Sequence, residues 1–490
     1  MKFSIKILPV ILAIICLFTA CNKDFEEMNT DPNRPKEVYP GALLSQMQYK
    51  FVNTSIGAAK NFTHEVMQVT APRSSRNNGL HRYVVTDATG TGVWNNFYSY
   101  VTDVEDLIEI SERLNENNYK AIALIYKSWA YSILTDCFGD IPYSQATKAT
   151  EGIFKPEFDS QKEIYVSLLE DLETANSIID LNKGISFGGD VVYHATSASG
   201  MQNWKKFANS LRLRLLLRLE KRDDELNVYQ QINTILSSPE IYPLFTENED
   251  DAIFRYPGSF PFYNPYFNAR TVDWSDGVYF TKYFINHLNA TEDPRRAIWS
   301  TTIKIDGANV YRGIESGYES DVEYVVRENS SYHDNLKTLP QLGVMMTYAE
   351  IEFIKAELAL KGFNTGSTPG EHYNKGIESS MEQWDATMPA GFLEKEGIAY
   401  DPSASTENQM QQIMLQKYFA LFFNDYQMWF EKRRTGYPVL PRGTGIPAEN
   451  QFPSRILYPL YLQSLNSDNL EAAVLRMGGD RSEVKVWWEK

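Results

Sequence analysis

Four stretches of this chain hold residue types whose spacing could do chemistry. Cys21 follows Phe18-Thr19-Ala20 at the end of an apolar run from Ile7 to Phe18, which Lys2 and Lys6 precede. A short charged segment, an apolar segment and small residues before a cleavage point make an export signal. A cysteine at that point predicts a lipoprotein signal over residues 1–20, in which the Cys21 thiol is acylated and becomes the new N-terminus; the alternative is an ordinary secretory peptide. Gly184-Ile185-Ser186-Phe187-Gly188 fits a hydrolase elbow, which needs a strand before the serine and a helix after it. Here a helical pattern ends at Asp180-Leu181-Asn182, and a glycine and the short run Val191–Tyr193 follow, so Ser186 is not expected to be a nucleophile. His64-Glu65 opens like a zinc-protease motif, but Gln68 stands where the second ligand belongs. Glu247-Asn248-Glu249-Asp250-Asp251 offers oxygens to calcium, yet lacks the loop spacing of a calcium motif and reads as a solvated acidic turn. The six histidines are scattered and Cys137 has no metal-spaced partner. No motif favours any pair among the 63 acids for glycosidase work. The expectation is no catalytic residue, no metal and no cofactor.

Binding chemistry is better represented. Ser259 to Arg270 places five rings among prolines and asparagines, and Trp274, Asp276 and Tyr279 follow. No helix runs through such a segment, and proline-stiffened loops hold rings in place. A sugar's C–H face packs on an indole or phenol ring, while amide, carboxylate and guanidinium groups bond its hydroxyls. Rings with a few convergent polar groups meet the general description of a ligand pocket. The expected platform is Trp274 with Tyr263 and Tyr266, and Asn264, Arg270 and Asp276 are expected to read polar groups. A second candidate is the Gly-, Ser- and Asn-rich stretch from Arg73 to Tyr98, which carries Arg73, Arg76, Asn78, Tyr83 and Trp94.

The elements that must position these groups read as mostly helical. Ile122, Ile125, Tyr126, Trp129 and Ile133 share one face of a helix from Asn118 to Thr135, which should stop at Phe138-Gly139-Asp140-Ile141-Pro142. Ile164, Leu168, Leu172 and Ile178 or Ile179 predict the next, so the two form a hairpin. From Trp204 to Leu219 apolar residues lie nearly all round, the mark of a buried helix; Arg212, Arg214 and Arg218 flank the stripe and need carboxylate or carbonyl partners. Val344 to Leu358 and His372 to Trp384 predict a further hairpin, and a last helix is expected from Asn408 to about Arg433. Residues 240–340 differ, with Pro243, Pro257, Pro261 and Pro265 and short β-prone runs at Tyr324-Val325-Val326 and Thr301–Ile305. Long irregular segments of this kind usually carry function.

Composition excludes several classes. The apolar leader falls short of the roughly 20 residues of a spanning helix, and no later stretch approaches one. A net charge of −16 argues against nucleic acid, which requires a basic face. Of three cysteines, one is removed and one acylated, so Cys137 has no disulfide partner and a large core must hold the protein together. Thirty tyrosines outnumber the 26 phenylalanines, an excess of rings with a polar tip that suits sugar or peptide surfaces. Prolines 32, 35 and 40 keep residues 21–40 extended, as a tether.

Five segments in order, behind this leader, are similar to those of one family. They are Tyr131-Ser132-Ile133-Leu134-Thr135-Asp136-Cys137-Phe138-Gly139-Asp140-Ile141-Pro142-Tyr143, Trp204 to Arg214, Tyr348-Ala349-Glu350 through Glu357, Trp429-Phe430-Glu431-Lys432-Arg433-Arg434-Thr435-Gly436, and Val486-Trp487-Trp488. Over nearly its whole length the chain resembles the SusD/RagB outer-membrane nutrient-binding lipoproteins of the Bacteroidetes, and Asp31-Pro32-Asn33 resembles their SusD-like subgroup. The resemblance implies a mainly α body over 41–490, with tetratricopeptide-like helical hairpins at about 41–235 and 342–436. These would support a loop-rich ligand-binding insertion at about 240–340 with a few short strands. It also implies a lipid-anchored protein on the outer face of the outer membrane, a lid over a TonB-dependent SusC-type barrel transporter; Lys23-Asp24-Phe25-Glu26-Glu27 is similar to the surface-export signal of such lipoproteins. The implied ligand is an oligosaccharide, taken up without catalysis, or a peptide as for some relatives; an exported hydrolase is the third alternative. The motifs themselves read as structural: Asp140 as a cap or backbone partner, Arg433 and Arg434 as cations at a helix end.

Overall fold

Pro40, whose fixed φ suits the first turn of a helix, opens α1 (Pro40–Ala58), and a π-helical turn, Ala59–Thr63, follows it directly. The computed structural model describes residues 39–74 and 79–490; the leader, Cys21, the tether to residue 38, Arg76 and Asn78 lie outside the described residues. After the short strand β1 (Thr70–Pro72) come α2 (Asp87–Leu114), α3 (Asn117–Phe138), α4 (Gln161–Ile178), α5 (Ala198–Arg218) and α6 (Val228–Ser237). The stretch from Arg73 to Tyr98, expected as a loop, is therefore helical from Asp87 onward. Helix α3 ends where predicted: Gly139 takes a φ of +86° and its N–H returns to the Thr135 carbonyl at 2.7 Å. Ser160 and Glu163 then start α4 reciprocally, each side chain bonding the other's backbone N–H at 3.0–3.3 Å.

The insertion holds β2 (Ala252–Phe254), β3 (Val278–Phe280), α7 (Lys282–Ala290), β4 (Ile303–Ile305) and β5 (Ala308–Val310), and β6 (Gly343–Met346) returns the chain to the helices. Val344 thus lies in a strand rather than in the helix expected for it. Strand β1 pairs antiparallel with β3, β2 with β6, and β4 with β5. The first two ribbons tie the loops to the body by backbone bonds that no loop supplies alone. Tyr324-Val325-Val326, β-prone in sequence, forms no strand.

Helices α8 (Tyr348–Leu360) and α9 (Pro369–Gln383) form the second predicted hairpin and pack on α10 (Thr406–Ala420). The single helix expected from Asn408 to Arg433 is two. It breaks at Phe423 and Asp425, both with positive φ, and resumes as α11 (Gln427–Thr435). Asp425 forces the break locally: its Oδ1 accepts the Tyr426 N–H and the Gln427 amide, and its carbonyl accepts the Thr63 hydroxyl at 2.7 Å. Helix α12 (Ser467–Met477) closes the chain. Residues Pro40–Lys490 form one compact unit, mainly α as predicted, and no described helix is long and apolar enough to cross a membrane.

The similar segments of the sequence meet at one place. Helix α5 is buried nearly all round, and its arginines find acids: Arg214 grips Glu350 through two bonds of 2.5–2.7 Å, Arg218 pairs with Asp136, and Arg212 with Glu173. Asp136 also accepts the Tyr165 hydroxyl and the Trp488 indole N–H, both at 2.7 Å. Arg434 bonds Glu357, Glu431 and Glu220 at 2.6–2.9 Å, and Arg433 bonds Glu489 and the Asp136 carbonyl at 2.7 Å. Arg433 and Arg434 therefore answer buried carboxylates, not a helix dipole. Asp140 acts as predicted, accepting the Gln161 N–H at 2.9 Å and the Arg476 guanidinium. Buried charges need such partners, because an unpaired one costs several kcal/mol.

Candidate functional site

The π-helical turn after α1 does the first work of the site. Adding a residue to one turn widens the helix locally, and such bulges recur at functional positions. Here the turn sends Lys60 inward and Asn61 outward. Asn61 shares a face with Asn53, Thr54 and Gly57 of α1, and that face stands opposite Thr89, Gly92 and Asn96 of α2. Between them lies a cleft of about 600 Å³, floored by Phe62 and Tyr426 and flanked by Leu80 and Tyr100. A Cβ built on Gly57 or Gly92 would meet nothing within 4 Å, so both glycines face open space.

The chemistry of this cleft is uniform. Its lining offers amides and hydroxyls, and no charged side chain among the described residues takes part. Tyr426 is fully buried, and its hydroxyl, which has no hydrogen-bond partner, is closed off from the cleft. Such a lining can hold a neutral, hydroxylated ligand by exchanged hydrogen bonds; it has no acid or base to move a proton.

Of the two sequence-predicted regions, Arg73 to Tyr98 lines this cleft and the ring-rich segment does not, and most of the named residues serve other ends. Trp274 is fully buried, its indole N–H on the His333 carbonyl at 3.3 Å and its ring between Tyr266 and Tyr332 at 5.0 and 5.2 Å. A ring sealed on both faces cannot stack on a sugar, so Trp274 is core. The Lys60 ammonium sits 5.3–5.4 Å from the Tyr266, Trp274 and Tyr332 rings, a cation–π cage, and burial pulls its pKa down to about 8. Trp94 is likewise buried, packed on Phe138, Tyr98 and Tyr458; it follows the cleft residue Val93 by one position, about 100° around the helix. Asn264 is buried and shapes its own turn, accepting the Tyr266 N–H at 2.9 Å.

The remaining candidates are more exposed. Tyr263 pairs with Phe267 at 4.8 Å, and its carbonyl takes the Tyr49 hydroxyl. Tyr266 reaches the site through a bond to Asn61. Arg270 pairs with Asp273 at 2.7 Å and Arg73 with Glu323 at 2.7 Å. Asp276 faces a different cleft, with Arg327. The buried Trp274 thus offers no platform, and the polar cleft between two helices is the candidate site. Sequence reasoning missed Asn53, Asn61, Thr89 and Asn96. Their signal is small and polar residues at helical spacing, Asn53-Gly57-Asn61 and Thr89-Gly92-Asn96, where glycine in a helix lowers stability and no packing requires it.

The other sequence candidates are occupied. Ser186 lies in an exposed turn. His64 is buried: Nε2 accepts the Phe423 N–H at 3.3 Å and Nδ1 meets the Tyr332 hydroxyl at 2.7 Å, and burial lowers its pKa to about 3. In the acidic stretch, Asp250 takes Lys206 at 2.7 Å and Asp251 the Tyr348 N–H at 2.6 Å; no group of three metal-ligating side chains occurs among the described residues.

Comparison with known proteins places this arrangement. No curated protein matches the chain. Among solved structures, a SusD homolog from Bacteroides fragilis is 25% identical, with a TM-score of 0.77 over 93% of this chain and 100% of that one. A SusD homolog from Bacteroides uniformis is also 25% identical, with a TM-score of 0.79 and the same coverage. A chain described as a chitin-binding protein is 25% identical, with a TM-score of 0.77 over 92% of this chain and 100% of that one. Residues 32–459 match the SusD-like_2 family, described as starch-binding and associating with the outer membrane. With the helical hairpins, the buried arginine network and most of its length accounted for, this chain belongs to the SusD-like_2 family.

Proposed function

We propose that this protein is a cell-surface lipoprotein, anchored through an acylated Cys21, that captures oligosaccharide and passes it without catalysis to a TonB-dependent SusC-type transporter in the outer membrane. The observation that carries the reading is the uncharged cleft between α1 and α2, with its amides and hydroxyls. Neutral hydroxyls complete such a lining, and charged ligands gain nothing from it. The family description names starch, and one similar structure is described as chitin-binding, so malto- and chito-oligosaccharides are the first ligands to test. Gly92→Phe fills the open space that Gly92 faces and removes a helix-weakening glycine. Calorimetric titration should show binding at least about tenfold weaker, or about 1.4 kcal/mol, with an unchanged melting temperature. Unchanged affinity in Gly92→Phe moves the ligand site elsewhere. Fatty-acid labelling that persists in Cys21→Ala removes the anchor.

A further inference from the structure

Three side chains of the second helical hairpin stand in line at an open cleft that the oligosaccharide reading leaves unused. Helix α8 supplies Glu352, helix α9 supplies His372, and the loop between them supplies Thr365. His372 Nδ1 meets Glu352 Oε2 at 2.7 Å, and Nε2 meets the Thr365 hydroxyl at 2.9 Å. Glu352 and His372 are buried, and Thr365 is half-buried. All three line a cleft of about 480 Å³, together with Tyr348, Gly366, Ser367, Glu371 and Lys375.

The protons along this line follow from the charge of Glu352. Burial alone would raise its carboxyl, but bonds from His372 and Lys355 hold it below its ordinary value. Lys355 fixes the other oxygen, Oε1, at 3.0 Å, and the Tyr348 hydroxyl bonds the same carboxylate. An ionised carboxylate takes the proton of Nδ1, so in a neutral His372 the lone pair lies on Nε2 and accepts the Thr365 hydroxyl. The other acceptor for that hydroxyl, the Ser367 carbonyl, is farther away at 3.2 Å. A hydroxyl, a histidine that can take its proton and an acid that orients the ring make a nucleophilic relay, which is recognised by geometry and not by sequence position. Beside it, Gly366 takes a φ of +88°, and a Cβ built there would meet nothing within 4 Å. The next N–H, that of Ser367, has no acceptor among the described residues, and Lys375 pairs only loosely with Glu378, at 3.7 Å. Glu371 is occupied in capping α9, where it accepts the Thr368 N–H and hydroxyl at 2.9 Å.

From the line Thr365–His372–Glu352 at an open cleft we propose a second activity for this protein, hydrolysis of short-chain acyl esters. The Thr365 oxygen attacks the ester carbonyl carbon as its proton passes to His372 Nε2. The Ser367 N–H and the Lys375 ammonium are the donors that the cleft offers to the oxyanion so formed. The bond from that carbon to the alcohol oxygen then breaks, and Nε2 returns the proton to the leaving oxygen. Water next adds to the acyl carbonyl on Thr365 and gives a proton to Nε2. The acid departs, and the Thr365 oxygen takes that proton back. Glu352 touches no reacting atom; it is a positioning residue that holds the ring and balances the imidazolium. The lining is polar apart from the Tyr348 ring, which leaves no place for a long acyl chain and suits acetyl. The site shares no residue with the α1–α2 cleft and stands or falls independently of the oligosaccharide reading.

The full-length mature protein is tested with p-nitrophenyl acetate and with an O-acetylated xylo-oligosaccharide. Acetate release should be saturable, and acid quenching followed by peptide mapping should place an acetyl group on Thr365. Thr365→Val keeps the shape and removes the nucleophile, so kcat/KM should fall at least about 100-fold with an unchanged melting temperature. Thr365→Ser presents the same oxygen and should retain activity, which a merely structural threonine would not require. His372→Gln should lose as much as Thr365→Val, and Glu352→Gln should lower kcat while leaving KM in place. The proposal is overturned if acetate release does not exceed that in buffer, if Thr365→Val turns over as the parent does, or if the trapped acetyl group lies on lysine or His372 and not on Thr365. The trapping is read on the parent chain itself, so it decides the matter even where a variant fails to fold.

Discussion

The helical body and the insertion both carry arginine–carboxylate pairs, but apart from the buried Arg295–Asp293 of the insertion the two sets differ in where they sit. Arg218–Asp136 and Arg434–Glu357 have side chains at most 1% exposed, whereas Arg270 and Arg327 are 76% and 73% exposed. A pair removed from water is fixed, because separating it strands a charge in a poor solvent. An exposed pair contributes at most about 1 kcal/mol and exchanges partners readily. The first set defines the shape of the chain, and the second adds little to it. The segments that mark the family are the fixed ones, which is why they reveal the fold and leave the ligand open.

The sharpest break of this contrast is Arg434→Ala. Burial alone would push Glu357 and Glu431 up, but Arg434 leads the groups that hold Glu357 down to about 2 and Glu431 well below its ordinary value. Removing it leaves buried acids unpaired, and the loss should be about 3–5 kcal/mol, toward the upper end, measured by urea unfolding. A loss below 1 kcal/mol would place this pair with the exposed ones. Trp274→Ala comes next. Although it sits in the loop-rich half, the ring is core, and about 3–5 kcal/mol should be lost, with a clear fall in melting temperature. A stable Trp274→Ala variant with weakened oligosaccharide binding would restore the tryptophan platform.

The smallest effect depends on pH. Burial pushes the Asp425 carboxyl up to about 6, while an unfolded aspartate titrates near 3.9. The folded state thus favours the proton, and the associated stability is complete below about pH 4 and lost as pH rises through about 6. The gap corresponds to on the order of 3 kcal/mol. Asp425→Asn should lose correspondingly less stability between pH 4 and pH 7 than the parent. Some slope will remain from Asp251, pushed up by burial to about 8. Equal pH slopes in parent and variant would show that Asp425 stays ionised throughout.

How much was legible in the sequence follows the same division. Helix α5 could be read because apolar residues at every angle admit only burial, and its arginines then required acids. Gly139 marked a helix end because its backbone geometry is local. The break between α10 and α11 escaped notice because the pattern from Asn408 to Arg433 is periodic across it. Only the distant Thr63 and the side chain of Asp425 distinguish the two helices. Trp274 and Trp94 misled for a related reason: a ring among prolines looks available until the neighbours that cover it are known. The cleft residues were overlooked because asparagines and glycines on a helix resemble an ordinary solvated face until a second helix stands opposite.

The π-helical turn at Ala59–Thr63 has a consequence for how this region tolerates change in length. It carries one residue more than a regular turn, so the residues before and after it are out of phase. Deleting any one of the five would let the helix run on regularly and rotate the chain beyond it by about 100°. His64 would leave Tyr332, Lys60 would leave its cage, and β1 would meet β3 one residue out of step. Substitution here alters one wall of the cleft, whereas a single-codon deletion would misalign the junction between the helices and the insertion.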